Sequence, residues 1–418
     1  MNPLTRYEVA KTRLLEISLI LVAITLPFHN IWNNYSIVAF CVLAIFSNSI
    51  HEKVSHLSSD LLSWVLPGFY FLCVAVFYFL DRGSRKTSVI LETNASLIAL
   101  PVILGSMRKL PEGTLKRIMI SFVFSNIAGS LYCLFEAYID YKANEHYINL
   151  FFYHHLSQHI GINAIYYSMF CLFSLLILLY YFFLKQASRL SQILAWLTIF
   201  YLTFFIILLS SKMFIFLLGF SGLAVFVFSY IRFRKLKLGL LAILLVCLSI
   251  PVLLSKIPYA KTRIEYTQIK RYGGVEDNNN GLAVRGVLWE STWELIREEH
   301  FLLGRGHFVT QDALRKRYAE AGFTDGVEKN YNTHNQYLYT WACYGLIGLL
   351  PLLLFIFRFF FITIKRGTFL GILLSVLFIC ANFTECMFET QKGLVFFLFF
   401  SGLILIEKND EIQLSKKA

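Results

Sequence analysis

The fold class predicted by this sequence is an all-α polytopic membrane protein, and three observations predict it. First, 57% of its 418 residues are hydrophobic and only 15% are charged, where a soluble globular chain carries roughly a quarter charged residues. Second, apolar stretches recur at the length a bilayer requires, about 20 residues. Third, Lys and Arg gather in alternate connecting segments, the pattern of cytoplasmic loops. The net charge of +12 then reflects loop anchoring and does not call for a nucleic-acid partner.

Taken in order, the apolar stretches are 14–30, 34–50, 61–80, 88–106, 118–139, 161–184, 191–209, 213–231, 238–254, 336–364, 369–388 and 391–406, or about twelve spans. The break at 210–212 is short, so its two flanking helices form a tight hairpin. Residues 1–13 are polar, and the first apolar run lacks a small-residue cleavage site, so it reads as a retained span. With the N-terminus inside, the inner segments hold Arg6, Lys11, Arg13, Lys116, Arg117, Arg232, Arg234, Lys235, Lys237, Lys365 and Arg366. The short outer segments hold fewer, among them Lys142, Lys212 and Lys392. Both termini are therefore expected in the cytoplasm. The basic segment 81–86 breaks the pattern: either it meets an anionic group outside, or a neighbouring span is miscounted. The expected organisation is a nine-span bundle over 1–254, an external loop over 255–335, a three-span bundle over 336–406 and a polar tail over 407–418.

The loop carries helical signals of its own. Residues 283–299 place Leu288, Trp289, Thr292, Trp293, Leu295 and Ile296 at helical spacing. Gly304, Arg305 and Gly306 read as a turn. Thr310 is placed to cap a second helix over 311–321, which Gly322 ends. The run Asp277, Asn278, Asn279, Asn280, Gly281 is rich in turn formers. The eight cysteines fall in or beside apolar segments with no CxxC spacing, which argues against a disulfide framework or a zinc site.

Chemistry-bearing residues cluster on the expected outer face, and each has two readings. Arg285, near the start of the first loop helix, either faces lipid headgroups or grips phosphate through its planar fork. Lys212, in the 210–212 turn, either snorkels to the interface or adds a point charge to an anion site. His334, just before the tenth span, is either structural or a base, since histidine as a residue type exchanges protons near neutral pH. His155 and His159 stand four apart, as metal ligands on one helix face would. No acid or cysteine completes that set, so a polar rim that hydrogen-bonds sugar is the preferred reading. Glu385 and Glu389, also four apart, either pair with a nearby cation such as Arg285 or contact a polar ligand. No P-loop, dinucleotide, zinc-protease or serine-hydrolase motif occurs.

The order of these features resembles the O-antigen ligase and O-antigen polymerase superfamily. The resemblance rests on Ser211 and Lys212 in a turn between central spans; on Gly281, Leu282 and Arg285 followed by Trp289; and on the Gly304 to Gly306 turn. It continues with His334, Asn335 and Leu338 leading into a span with Gly345 and Gly348, then with Glu385, Glu389, Gln391 and Gly393. These motifs cover roughly 205–395. Lys212 departs from the arginine usual at its position, keeping the charge but losing the fork.

The resemblance implies a multi-pass glycosyltransferase of the GT-C type in the bacterial inner membrane, with its active site facing the periplasm. The donor would be a glycan on undecaprenyl diphosphate and the acceptor a sugar hydroxyl, on lipid A core for a ligase or on a second lipid-linked glycan for a polymerase. Transfer would invert the anomeric centre and need neither metal nor cofactor. Arg285 and Lys212 would hold the diphosphate, and His334 would orient or deprotonate the acceptor. His155, His159, Asn335, Gln336, Glu385 and Glu389 are candidate sugar contacts, and Tyr337 and the aromatic residues of 150–167, with Gln336, are candidate sugar or polyprenyl contacts. A protein O-oligosaccharyltransferase shares this chemistry. A non-enzymatic transporter of lipid-linked glycans would instead predict charges within the spans along a path.

Overall fold

The computed structural model of the protein describes residues 3–47, 49–80, 85–107, 110–143, 147–184, 188–233 and 281–407. The expected span 238–254, the turn residues 277–280, the tail 408–418 and most of the basic segment 81–86 lie outside the described residues. Every regular element among those described is helical. In chain order the helices are α1 (Pro3–Thr25), α2 (Asn30–Ile45), α3 (Ile50–Ser58), α4 (Leu61–Leu80), α5 (Arg85–Asn94), α6 (Ser96–Gly105), α7 (Thr114–Ala143), α8 (Tyr153–Ser157), α9 (Ala164–Leu178), α10 (Arg189–Leu208) and α11 (Lys212–Phe233). After the undescribed stretch come α12 (Gly281–Leu295), α13 (His307–Glu320), α14 (Thr324–Glu328), α15 (Gln336–Arg366), α16 (Phe369–Asn382) and α17 (Gln391–Ile406).

Among the described residues, five helices are long and apolar enough to cross a membrane: Leu61–Leu80, Thr114–Ala143, Ala164–Phe182, Arg189–Leu208 and Gln336–Arg366. Three other expected spans fall short of the roughly 20 residues a straight crossing needs, each for a local reason. The stretch 88–106 breaks at Ala95 into α5 and α6. The stretch 34–50 ends early because Ser49 accepts a hydrogen bond from Glu52 N and starts α3, which has no buried residue. The stretch 369–388 ends at Asn382, and 383–390 folds as a polar turn before α17.

The centre of the bundle is α9 and α17. Every residue of α9 is buried, and so are all but Gln391 in α17. A helix that is apolar all round is stable only when enclosed. Their rings interlock: Phe170 stacks on Phe396 at 5.0 Å, and Phe378 of α16 stacks on Phe397 at 4.1 Å. Outward-facing residues such as Phe46, Phe79, Leu197 and Phe361 are exposed and apolar, as a lipid-facing girdle requires. At one end Lys392 donates to the carbonyls of Leu26 and Phe28, satisfying chain that has just left α1. At the other end Arg358 pairs with Asp60 and donates to Ser63 at 2.8 Å, and Arg366 donates to Leu405 O at 3.0 Å.

The segment between α12 and α13 docks backbone to backbone on α15. Gly345 interrupts α15 with φ 67° and ψ −170°, a region essentially confined to glycine. The freed groups pair with the segment: Gly306 N donates to Cys343 O at 2.9 Å, and Leu346 N donates to Phe301 O at 3.1 Å. A Cβ on Gly304 would stand 2.1 Å from Cys343 O, and one on Gly345 would stand 2.2 Å from Leu302 O. Gly304 is thus required by contact, and Gly345 by contact as well as by conformation. Thr310 does not cap a helix. It lies within α13, whose start is three residues earlier, and its hydroxyl donates to Ala342 O at 3.2 Å. Gly322, at φ 69°, follows the end of α13.

Candidate functional site

Five separate stretches of chain converge on one cavity of about 380 Å³ at the Lys392 end of the bundle. Its lining includes Tyr153, His154 and Asn163; Ser210, Ser211 and Lys212; Arg285; Tyr331 and His334; and Thr384 and Glu385. The hairpin turn between α10 and α11 delivers Lys212 at the first position of α11. Arg285 sits in the second turn of α12, on the face that also carries Leu288 and Thr292, both fully buried. Trp293 of the same helix stands outward, edge-on to Trp341 at 5.7 Å.

His334 is held by several local devices. Asn332 accepts from His334 N at 3.0 Å, a short side-chain turn. Asn335 caps α15 by accepting from Tyr337 N and Leu338 N at 3.0 and 3.1 Å. Thr333 shares a buried hydroxyl contact of 3.2 Å with Thr292, which ties the His334 stretch to the helix bearing Arg285. The Tyr331 ring stands edge-on to the imidazole at 5.5 Å.

Glu385 joins the two halves of this arrangement. Its Oε2 is 3.2 Å from His334 Nδ1, and its Oε1 is 3.9 Å from Arg285 Nη2. Arg285 Nη2 also donates to Thr384 O at 3.3 Å. The carboxylate is nine-tenths buried, whereas the imidazole is 30% and the guanidinium 23% exposed. A buried carboxylate beside a partly exposed imidazole holds that ring by Nδ1 and leaves Nε2 as its other working nitrogen.

Strain marks the same place. Among the described residues, four non-glycines have positive φ: Tyr153 at 54°, Ser210 at 49°, Asn330 at 52° and His334 at 47°. Three of the four line this cavity. Asparagine tolerates that conformation, but a tyrosine, a serine and a histidine there each cost on the order of 1–3 kcal/mol. Such strain persists where surrounding structure overdetermines it, as at working sites.

Other residues singled out from the sequence stand elsewhere. His155 is exposed on α8, and His159 lies 3.8 Å from Asp140. Neither lines the cavity; their neighbour His154 does. The i, i+4 argument presumed a continuous helix, but α8 ends at Ser157 and the chain tightens into a 3₁₀ turn. Among the described residues no three His, Cys, Asp or Glu side chains gather within reach of one ion. Gln336 is fully buried, donating to Thr340 at 2.9 Å and accepting from Phe388 N at 2.8 Å. Glu389 is partly buried, 3.6 Å from His307, whose ring also meets the Tyr339 hydroxyl at 3.0 Å. Burial pushes the Glu389 carboxyl up to about 7 and pulls the His307 imidazole down to about 4. From the sequence, Tyr153 stood only among the aromatic residues of 150–167 and His154 only as a neighbour of His155. The feature that aims them, the positive φ of Tyr153, leaves no sequence trace.

The protein-family model for O-antigen ligase matches residues 196–353, a segment that includes Lys212, Arg285 and His334. A search of curated proteins finds no match to the chain.

Proposed function

We propose that this chain, a member of the O-antigen ligase superfamily through its 196–353 segment, is a ligase moving a glycan from undecaprenyl diphosphate to a sugar hydroxyl on lipid A core. The observation that carries this reading is the meeting of Lys212, Arg285, His334 and Glu385 in one cavity. The site faces the periplasm in this reading, and the loop charge bias supports it: Lys116, Arg117, Lys365 and Arg366 fall at the opposite ends of their helices. The membrane is the bacterial inner membrane.

The chemistry follows from the side chains. Arg285 binds the diphosphate through its planar fork and Lys212 as a point charge. Charge builds on the phosphate oxygen as the anomeric C–O bond breaks, and the two cations favour that state over the ground state. His334 Nε2 takes the acceptor hydroxyl proton while the acceptor oxygen attacks the anomeric carbon from the opposite face, which inverts the centre. The electron pair of the broken bond leaves on the diphosphate. Glu385 receives the Nδ1 hydrogen bond and balances the imidazolium that forms, in the way a carboxylate partners histidine in other proton-transfer sites. Asn335 and Gln336 act in this reading through the backbone, by fixing the entry of α15 beside His334.

The test is a lipopolysaccharide gel of a strain lacking the chain, complemented with wild type or His334→Ala. The ligase reading expects bare core in the deletion and in the His334→Ala strain, and full-length glycan on core with wild type. Core bearing a single repeat in the deletion strain would overturn the ligase and indicate a polymerase with the same chemistry.

A further inference from the structure

We propose that Tyr153 and His154 form the sugar-ring subsite of this cavity, with the Tyr153 face stacking on a pyranose and His154 hydrogen-bonding one of its hydroxyls. This inference rests on the glycan-transfer reading above and assigns to these two residues the part of the substrate that the cations do not address.

Three independent observations meet at this pair. Both residues line the cavity that holds Lys212, Arg285 and His334. Tyr153 is held at φ 54°, a conformation unfavourable to a bulky side chain that places a half-buried aromatic ring against the cavity. The two rings are themselves packed, with centroids 3.7 Å apart.

The imidazole is also fixed. His154 Nδ1 accepts from Ala164 N at 3.3 Å, one of the amides at the start of α9 that has no partner within its own helix. Asn163 caps the next amide, Ile165 N, at 2.9 Å. Because Nδ1 accepts, the neutral ring carries its hydrogen on Nε2 and is a donor there. A sugar offers what this pair can use: an apolar face of C–H bonds, carrying slight positive charge, against the negative face of an aromatic ring, and hydroxyl oxygens that accept hydrogen bonds. A diphosphate offers acceptor oxygens but no apolar C–H face. The cavity therefore divides, with cations from α11 and α12 for the phosphates and an aromatic shelf at the start of α8 for the C–H face of a sugar.

The experiment uses the purified full-length protein in lipid nanodiscs, with polyprenyl-diphosphate glycan as donor and lipid A core as acceptor. Tyr153→Phe is expected to keep both KM values within about twofold, because the ring face remains. Tyr153→Leu and Tyr153→Gly are expected to raise one sugar substrate's KM by about tenfold, while inhibition by sugar-free polyprenyl diphosphate is unchanged. A rise in acceptor KM places the acceptor ring on the shelf, and a rise in donor KM places the transferred sugar there. Tyr153→Gly separates recognition from folding, since glycine relieves the strained φ: its melting temperature is expected to equal or exceed wild type. Unchanged KM values in Tyr153→Leu and Tyr153→Gly, or an equal loss in Tyr153→Phe, would overturn the subsite. Binding of the two glycolipids without turnover reads the shelf separately. Tyr153-dependent binding without any transfer would sink the transferase reading and leave the shelf standing; transfer indifferent to Tyr153 would do the reverse.

Discussion

The partly buried pair of Glu389 and His307 allows a quantitative prediction about pH and stability. In the folded protein the carboxyl is pushed up to about 7 from 4.5, and the imidazole is pulled down to about 4 from 6.5, both chiefly by burial. Between pH 4.5 and 6.5 the unfolded chain therefore carries an ionised Glu389 and a protonated His307, while the folded chain carries the same single proton on Glu389. Folding neutralises the pair without changing its proton count, so the pair contributes no slope to stability in that window. Removing either partner exposes the other. In His307→Gln, Glu389 keeps a proton on folding that the unfolded chain has lost, so stability falls as pH rises from about 4.5 to about 7. In Glu389→Gln, the unfolded chain binds a proton that partly buried His307 refuses, so stability rises as pH rises from about 4 to about 6.5. Each slope integrates to about 3 kcal/mol, at roughly 1.4 kcal/mol per pH unit of displacement. The assay is thermal unfolding in detergent, read by intrinsic tryptophan and tyrosine fluorescence, which needs no labelling chemistry across this pH range. Melting temperatures of the two variants must move in opposite directions across this pH range. Slopes of the same sign, or flat profiles in both, would refute the neutral pair.

Three further outcomes follow from the geometry. Gly345→Ala puts a Cβ 2.2 Å from Leu302 O at a backbone conformation only glycine adopts; a loss of at least about 2 kcal/mol is expected, read as a lowered melting temperature, and a wild-type value would refute the docking account. Glu385→Gln keeps the shape beside His334 but removes the charge 3.2 Å from Nδ1, so kcat for glycan transfer should fall roughly ten- to hundredfold with KM nearly unchanged; a fall in KM affinity alone would assign Glu385 to substrate binding. Lys212→Arg should retain transfer, since the charge remains, and loss of turnover would mean that the position demands the shape of lysine.

How much of this was legible in the sequence differs by type of signal. Hydropathy marks the bundle, but span length was overestimated where a second helix starts close behind the first, as α3 does with Ser49 as its N-cap, or a helix yields to a turn, as at Asn382. Lys212, Arg285, His334 and Glu385 stood out because charged or proton-exchanging groups are scarce in so apolar a chain, and all four line one cavity. His155 and His159, read as a rim that contacts sugar, do not line this cavity, and the end of α8 at Ser157 keeps them off one helix face. The docking of the 301–306 segment on α15 was only half visible. Its glycines could be seen, but a backbone-to-backbone contact across some 40 residues has no side-chain signature. Tyr153 was visible only as one of several aromatic residues over 150–167, because the backbone torsion that sets it apart has no sequence signature.

The most direct test of the central claim is glycan transfer by the purified protein, comparing wild type with His334→Ala and Arg285→Ala at equal folding, checked by melting temperature. General-base and diphosphate roles call for wild-type turnover and a loss of roughly a hundredfold or more in each variant, with sugar-free polyprenyl diphosphate still binding His334→Ala but not Arg285→Ala. Wild-type transfer rates from His334→Ala would contradict the account.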